Sequence, residues 1–198
     1  MSDRMVWVDC EMTGLDLTRD ALIEIAVLVT DAELNVLGEG VDLVIKPDDA
    51  ALETMPDIVR EMHTASGLLD VLADGITMEQ AQDEVMAYVT AHVPEVRKAP
   101  LAGSSVHTDR TFLARDMPVF EQHVHYRNVD VSTLKELARR WYPRVYFNAP
   151  AKTGNHRALG DIRDSILELA YYRSTMLVPA PGPDTDAAKA AAQGLSGG

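Results

Sequence analysis

Hydrophobic residues form three strand-like runs near the start of the chain. An apolar run at residues 5–8 leads into Asp9 and Glu11, and runs rich in Ile, Val and Leu follow at residues 21–30 and 36–46. Continuous apolar character favours strands that are buried on both faces. Because only short polar turns separate the three runs, we expect an antiparallel meander.

From residue 48 onward the spacing of apolar residues becomes helical. Helices are predicted at residues 56–62, 68–73, 78–92, 110–116, 118–123, 133–141 and 157–175, and short strands at 98–103 and 126–131. Thr77 and Ser132 stand at N-cap positions, Ser66 is a possible third cap, and residues 143–153 are predicted to form a loop. This order predicts an α/β protein whose mixed sheet combines the meander with further strands and is flanked by helices.

The last twenty residues differ from the rest in composition. Residues 179–198 are rich in Pro, Ala and Gly and contain almost no large apolar side chains. Such a segment cannot bury enough apolar surface to fold by itself. We therefore expect one domain over residues 1–178 and a disordered or loosely attached tail over 179–198.

Composition and charge limit the class of protein. The 198 residues include a single cysteine, Cys10, so an internal disulfide is excluded and a reducing compartment is indicated. The beginning of the chain lacks a signal-peptide core, and no stretch approaches the ~20 apolar residues of a membrane span. We expect a cytoplasmic protein. Its formal net charge of −13 argues against many Lys and Arg contacts along a long nucleic-acid backbone.

Asp9 and Glu11 are the first candidate site residues. They lie two positions apart in a predicted strand, so their side chains project to the same side, close to apolar surroundings. Two ionised carboxylates there repel each other and lose hydration, so they need a cation or a shared proton. Cys10, between them, should point to the opposite face as a small buried residue.

Other acids stand near the ends of predicted elements. Asp109 opens a helix, where the local alternative is an N-cap role. Asp161 and Asp164 lie on the last long helix, where most acids are solvated, and His156 precedes that helix. Glu24, inside the second strand, could be a fifth metal ligand or an exposed or hydrogen-bonded strand residue.

Four of these acids and one histidine form the set of side chains expected in the active site of a two-metal phosphodiesterase: Asp9, Glu11, Asp109, Asp161 and His156. Carboxylate oxygens suit Mg²⁺ or Mn²⁺, and two such ions can hold the attacking water and the leaving oxygen. A histidine titrates near neutral pH and can accept the proton of that water.

Five motifs carry a family resemblance. They are Asp9-Cys-Glu11-Met-Thr-Gly-Leu15, His63-Thr-Ala-Ser-Gly-Leu68, Ser105-x-x-x-Asp109-Arg-x-Phe-Leu113, His125-Tyr-Arg127-x-x-Asp130-Val-Ser-Thr-Leu-Lys-Glu-Leu137 and Gly154-Asn-His156-Arg-Ala-Leu-x-Asp161. In this order they resemble the DEDDh family of 3′-to-5′ exonucleases, which has a ribonuclease-H-like fold. The Asp-x-Glu element alone is common to many nucleases, whereas the five motifs together are specific.

The resemblance implies a chemistry for the site. Asp9, Glu11, Asp109 and Asp161 would hold two divalent cations, Mg²⁺ or Mn²⁺, directly or through water, and His156 would be the general base. The implied substrates are very short RNAs, especially dinucleotides, which are hydrolysed to 5′-mononucleotides. Asp164 is left as a surface residue.

The resemblance also implies a homodimer whose side chains close over the 5′ phosphate end of a short substrate, with some reaching across from the partner subunit. The matching residues are Ser105, His125, Tyr126, Arg127 and Ser132. An arginine fork suits a phosphate because it donates two parallel hydrogen bonds. Leu15 would wedge against a base, and His63 would contact the substrate backbone.

Two positions depart from the family pattern, and two rival functions remain. Ile58 stands where an aromatic residue is expected, and base stacking is worth about 1–3 kcal/mol per base. Gly160 replaces a common acid and costs the helix about 1 kcal/mol relative to Ala.

An exonuclease for longer RNA or DNA strands would need a basic, aromatic-lined channel. A non-catalytic dimeric nucleic-acid-binding domain would have lost one of the five site residues, and all five are present.

Overall fold

The strand that carries Asp9 and Glu11 lies at the centre of the sheet. A computed structural model of the protein describes residues 3–152 and 157–195, and this part of the chain contains five strands. They are β1 (Met5–Met12), β2 (Leu22–Thr30), β3 (Val36–Val44), β4 (Pro100–Gly103) and β5 (His125–Asp130). Their order across the sheet is β3-β2-β1-β4-β5.

The pairing of the strands confirms the predicted fold class. β1, β2 and β3 form the antiparallel meander, and β4 and β5 extend the sheet from β1 with parallel pairing. With helices flanking the sheet, the architecture is the α/β, ribonuclease-H-like mixed sheet that the sequence predicts.

Helices occupy most of the chain beyond the meander. In the described ranges they are α1 (Asp49–Glu53), α2 (Asp57–Ala65), α3 (Leu68–Val71), α4 (Met78–His92), α5 (His107–Asp116), α6 (Pro118–His123), α7 (Val131–Trp141), α8 (Pro143–Phe147), α9 (Ala158–Met176) and α10 (Thr185–Leu195). The boundaries of α4 match the prediction. The Thr77 hydroxyl accepts a hydrogen bond from the Gln80 N–H, and the Gln80 side chain accepts one from the Thr77 N–H.

Three local predictions are wrong. Ser132 is not an N-cap, because the Asp130 carboxylate accepts the Ser132 N–H at 2.9 Å and α7 begins between them. Ser66 ends α2 instead of capping α3, which follows Gly67 at a φ of 74°. The predicted loop after α7 contains α8, which starts at Pro143 because the fixed φ of proline suits the first position of a helix.

Alternate residues of β1 face two different apolar clusters. Val6, Val8 and Cys10 pack in the cluster that also contains residues of α4, α5 and α6. Trp7 packs in the cluster that contains residues of α9. Because side chains alternate along a strand, Asp9 and Glu11 share the α9 side of β1 with Trp7. Cys10 is buried on the opposite face, as the sequence predicts.

The predicted tail contains one helix. α10 is rich in alanine, the strongest helix former, and is exposed along its length. Residues 185–195 are therefore helical, and the division into one domain and a disordered or loosely attached tail stays a prediction. Over the described ranges, the structure contains no helix with both the length and the apolar character that a membrane crossing requires.

Candidate metal centre

Three of the predicted ligands come together at the end of β1. Asp9 and Glu11 project from the strand, and Asp161 lies in the first turn of α9, which packs on the same face. One carboxylate oxygen from each of these three residues lies within 4.8 Å of the others. We call Asp9, Glu11 and Asp161 the carboxylate cluster. It forms because a strand and a helix that are distant in sequence meet face to face.

Asp109 is tied to the backbone between the two acids of β1. Its Oδ1 accepts the Cys10 N–H at 3.0 Å, and the side chain is buried. The N-cap alternative for Asp109 is wrong, because α5 begins two residues earlier, at His107. Asp109 therefore stands beside the carboxylate cluster but outside its 4.8 Å group.

The acids of this centre are difficult to ionise without a cation. Burial, reinforced by the charges of Asp109, Glu11 and Asp161, raises the pKa of Asp9 to about 9. Burial, followed by the charge of Glu24, raises the pKa of Glu11 to about 8. Burial also raises the pKa of Asp109 to about 7, against the hydrogen bond from Cys10. Crowded, desolvated oxygen donors fit hard divalent cations such as Mg²⁺ or Mn²⁺.

Glu24 is buried and hydrogen-bonded, which was one of its predicted alternatives. Its Oε1 accepts from Arg157 Nε at 2.6 Å, and its Oε2 accepts the Ala158 N–H at 3.1 Å. Sequence reasoning missed Arg157 as its partner, because the two residues are 133 positions apart. Asp164, predicted to lie on the surface, is also buried.

The predicted general base, His156, lies outside the described residues. The described chain stops at Lys152 and resumes at Arg157. The Nζ atom of Lys152 lies 3.9 Å from Oε2 of Glu168. The positive charge of Lys152 partly offsets the rise in the pKa of Asp9. The role of His156 stays a prediction.

Hydrogen bonds to its backbone hold the loop that carries Leu15 in place. Leu15 is 74% exposed at the surface, next to the end of β1. The loop is closed by Thr13 N–H donating to the Ala21 carbonyl, and Arg115 of α5 donates to the carbonyls of Leu17 and Asp20. Sequence reasoning missed Arg115, since a contact across 98 positions leaves no local signal. The exposed position suits the predicted contact of Leu15 with a base.

His63 lies behind Glu11 instead of on the surface. It is fully buried, and its Nε2 is 2.9 Å from the Met12 carbonyl oxygen. A carbonyl only accepts, so Nε2 donates its hydrogen, and Nδ1 then faces Glu11 Oε2 at 3.9 Å. His63 therefore supports the end of β1, and its contact with substrate stays a prediction.

The residues predicted to close over the 5′ phosphate fall into two groups. Ser105 and Ser132 have hydroxyl oxygens 3.1 Å apart, beside Asp130 at the carboxyl end of β5. His125, Tyr126 and Arg127 occupy the opposite end of that edge strand. There the His125 and Tyr126 rings stack at 4.4 Å, and the Arg127 guanidinium lies 5.6 Å from the Tyr126 ring centre.

Known proteins resemble this chain in sequence over nearly its whole length. The exonuclease family model matches residues 6–169. The oligoribonuclease of Streptomyces griseus is 69% identical over 196 residues, which cover 99% of this chain and 98% of the relative. The oligoribonuclease of Mycobacterium avium is 56% identical over 199 residues, which cover 100% of this chain and 93% of the relative.

Solved structures resemble the chain in fold. An exonuclease I structure matches with a TM-score of 0.66 at 17% identity, covering 89% of this chain and 42% of the other. E. coli exonuclease I in complex with a dT13 oligonucleotide matches with a TM-score of 0.64 at 18% identity, covering 89% of this chain and 42% of the other. The chain thus spans about two fifths of the length of these structures, and the likeness shows the fold.

We predict that the metal-free protein loses stability as the pH rises. Unfolded Asp and Glu ionise near pH 4, whereas folding raises the pKa values of Asp9, Glu11 and Asp109 to between about 7 and about 9. The folded state therefore binds more protons between about pH 4 and about pH 9, and its free energy of unfolding falls across that window. Thermal unfolding in EDTA at several pH values measures this, and added Mn²⁺ should raise the Tm most at high pH.

Two substitutions test whether the carboxyls of this site cause the predicted fall in stability with pH. Asp9→Asn should flatten the pH dependence, because it removes the most strongly shifted carboxyl. Asp31→Asn is the control: Asp31 is partly exposed, and hydrogen bonds from Asn35 lower the pKa of its carboxyl. An equal slope for wild type and Asp9→Asn would contradict the prediction.

Proposed function

The chain belongs to the oligoribonuclease family of exonucleases, and from this premise we propose that it hydrolyses very short RNAs, dinucleotides especially, to 5′-mononucleotides. Membership of this family makes it a 3′-to-5′ exoribonuclease and a hydrolytic enzyme. The observation that carries the proposed chemistry is the carboxylate cluster at the end of β1. A cytoplasmic location is part of the same proposal.

Each site residue has a proposed role. Asp9, Glu11 and Asp161 would hold divalent cations directly, and Asp109 would do so directly or through water. Bound Mg²⁺ or Mn²⁺ would supply positive charge to the reacting phosphodiester and its oxygens. His156 would take the proton of the attacking water. Leu15 would press against a base beside the site.

The preference for short substrates follows from charge and from a closed 5′ end. The net charge of −13 gives little attraction for a long polyanion, so a few placed donors must hold the substrate. Ser105 and Ser132 supply hydroxyls at one end of β5. Arg127 supplies a guanidinium fork that suits a terminal phosphate.

The placement of Tyr126 and Arg127 supports a homodimer in which they act on the partner's site. The pairing puts Val6 level with Leu101 and Asn128, and a bulge in β5 puts His125 level with Pro100, so Tyr126 and Arg127 lie between three and four residues below the level of Asp9. That is roughly 10–13 Å along the strands, plus about 10 Å across two strand spacings. Neither side chain can span this distance to its own carboxylate cluster. Tyr126 is 68% exposed on the edge strand, where a second copy has access.

Substrate length is the most informative test. We expect cleavage of 5′-labelled RNAs, in a series from dinucleotide to decanucleotide, to be fastest for the dinucleotide and to stop in EDTA. The closed 5′ end gives this order because longer strands have no space beyond the terminal phosphate. Equal rates along the series would contradict the closed site and favour an exonuclease for longer strands.

Substitution of the base and of a ligand should separate catalysis from metal binding. We expect His156→Ala to lower kcat by about 10²–10⁴ while calorimetric Mn²⁺ binding persists, because only a proton acceptor is lost. Asp9→Ala should lose both. His92→Ala, at the far end of α4, is the control and should retain activity. Normal turnover by His156→Ala would show that the base is another group.

Mixed dimers test whether Arg127 acts across the interface. Co-expressed Asp9→Ala and Arg127→Ala chains should recover about a quarter of wild-type activity, because half of the dimers are mixed and each has one complete site. The control pair, Asp9→Ala with Asp161→Ala, damages the carboxylate cluster of both chains and should recover none. A first pair no more active than the control would place Arg127 in its own subunit's site.

A further inference from the structure

A buried acid that is not part of the carboxylate cluster holds the beginning of α9. Glu24 is fully buried in β2, where it pairs in register with Glu11 of β1. Residues paired across an antiparallel ladder project to the same face. Glu24 therefore stands next to Glu11, beneath the helix that carries Asp161.

The two oxygens of Glu24 bind two consecutive residues at the helix start. Oε1 lies 2.6 Å from both Nε and Nη2 of Arg157, so the two nitrogens converge on one oxygen, and Oε2 accepts the Ala158 N–H at 3.1 Å. An arginine side chain has no acceptor, so Arg157 cannot cap the helix itself. Glu24 takes the place of a local N-cap, and its negative charge also suits the positive end of the helix dipole.

The same contacts lead directly to Asp161. The Arg157 carbonyl accepts the Asp161 N–H at 3.1 Å, which is the first helical hydrogen bond of α9. Glu24 thus fixes Arg157, whose carbonyl oxygen accepts the backbone N–H of Asp161. In sequence, Arg157 also directly follows His156, so the same anchor sits at the edge of the segment that carries the proposed base.

We infer that Glu24 is a positioning residue that fixes the start of α9 and thereby holds Asp161 against Asp9 and Glu11. This inference rests on the proposed metal-dependent function. Glu24 lies outside the carboxylate cluster, and both of its oxygens already accept hydrogen bonds, one from Arg157 and one from Ala158. Residues that orient ligands in this way typically affect metal affinity or activity by about 10–100-fold.

Calorimetric titration of metal-free protein with Mn²⁺ tests the inference without relying on activity. Glu24→Gln keeps the side-chain length but presents an NH₂ group to one of the two donors. We expect its Kd for Mn²⁺ to rise by about 10–100-fold. In the metal-free protein, hydrogen exchange at Ala158 should become faster, since one of the two contacts that hold the start of α9 is lost.

The matched control is Glu33→Gln. Glu33 makes a Glu–Arg contact with the other end of the same helix, at 2.5 Å from Arg173 Nη2, but on the surface. We expect its Kd for Mn²⁺ to match that of the wild type. A role of Glu24 in folding alone would lower the fraction of binding-competent protein without changing the Kd of that fraction, and this result would overturn the inference.

A second variant covers the case in which Glu24→Gln does not fold. Glu24→Asp keeps the charge beside Arg157 but is one methylene too short to reach both partners, so weaker Mn²⁺ binding is again expected. Wild-type Kd in folded Glu24→Asp would overturn the inference while leaving the proposed function intact. Absence of Mn²⁺ binding by the wild type would overturn the proposed function and this inference with it.

Discussion

Mutual repulsion among crowded carboxylates, which are partly or fully buried, is the constraint on which the rest of this structure depends. Asp9 and Glu11 lie on a central strand, and Asp109 and Asp161 join them from two helices. Burial raises the pKa values of Asp9, Glu11 and Asp109, and the charges of neighbouring acids raise those of Asp9 and Glu11 further. A fold that only had to be stable would not collect these groups. Their presence is explained by a cation, which binds to the very charges that make the metal-free site unfavourable.

The fold holds each part of this centre through contacts from a different element. Asp109 is fixed by the Cys10 N–H, the end of β1 is supported by His63, and the start of α9 is held by Glu24. All three contacts join a side chain to the backbone. A backbone partner is fixed by the sheet or helix to which it belongs, so the carboxylates of the site are placed by the architecture more than by their own rotamers.

The parts of this structure that the sequence predicts are those with a local cause. Alternation along β1 places Asp9 and Glu11 on one face, and the capping box of Thr77 and Gln80 sets the start of α4. The errors have non-local causes or depend on a competing neighbour. Asp130 takes the capping position from Ser132, and Asp109 bonds to β1 instead of to its own helix.

Burial of polar residues is the main feature that the sequence does not reveal. Glu24, His63 and Asp164 are all buried, although acids and histidines are usually at least partly exposed. The partners of Glu24 and His63 come from distant parts of the chain. For Glu24, the sequence left both a ligand role and a hydrogen-bonded role open, and only the contact with Arg157 decides between them.

The two ends of β5 connect the chemistry to the proposed assembly. Ser105 and Ser132 stand beside Asp130 at the end of the strand that faces the carboxylate cluster, whereas Tyr126 and Arg127 begin the strand at its other end. A rigid strand cannot bring both groups to one site in one chain. If all of them touch the same short substrate, a second chain must supply Tyr126 and Arg127. In the proposed function, the short substrate and the dimer would therefore both follow from the positions of these two groups on β5.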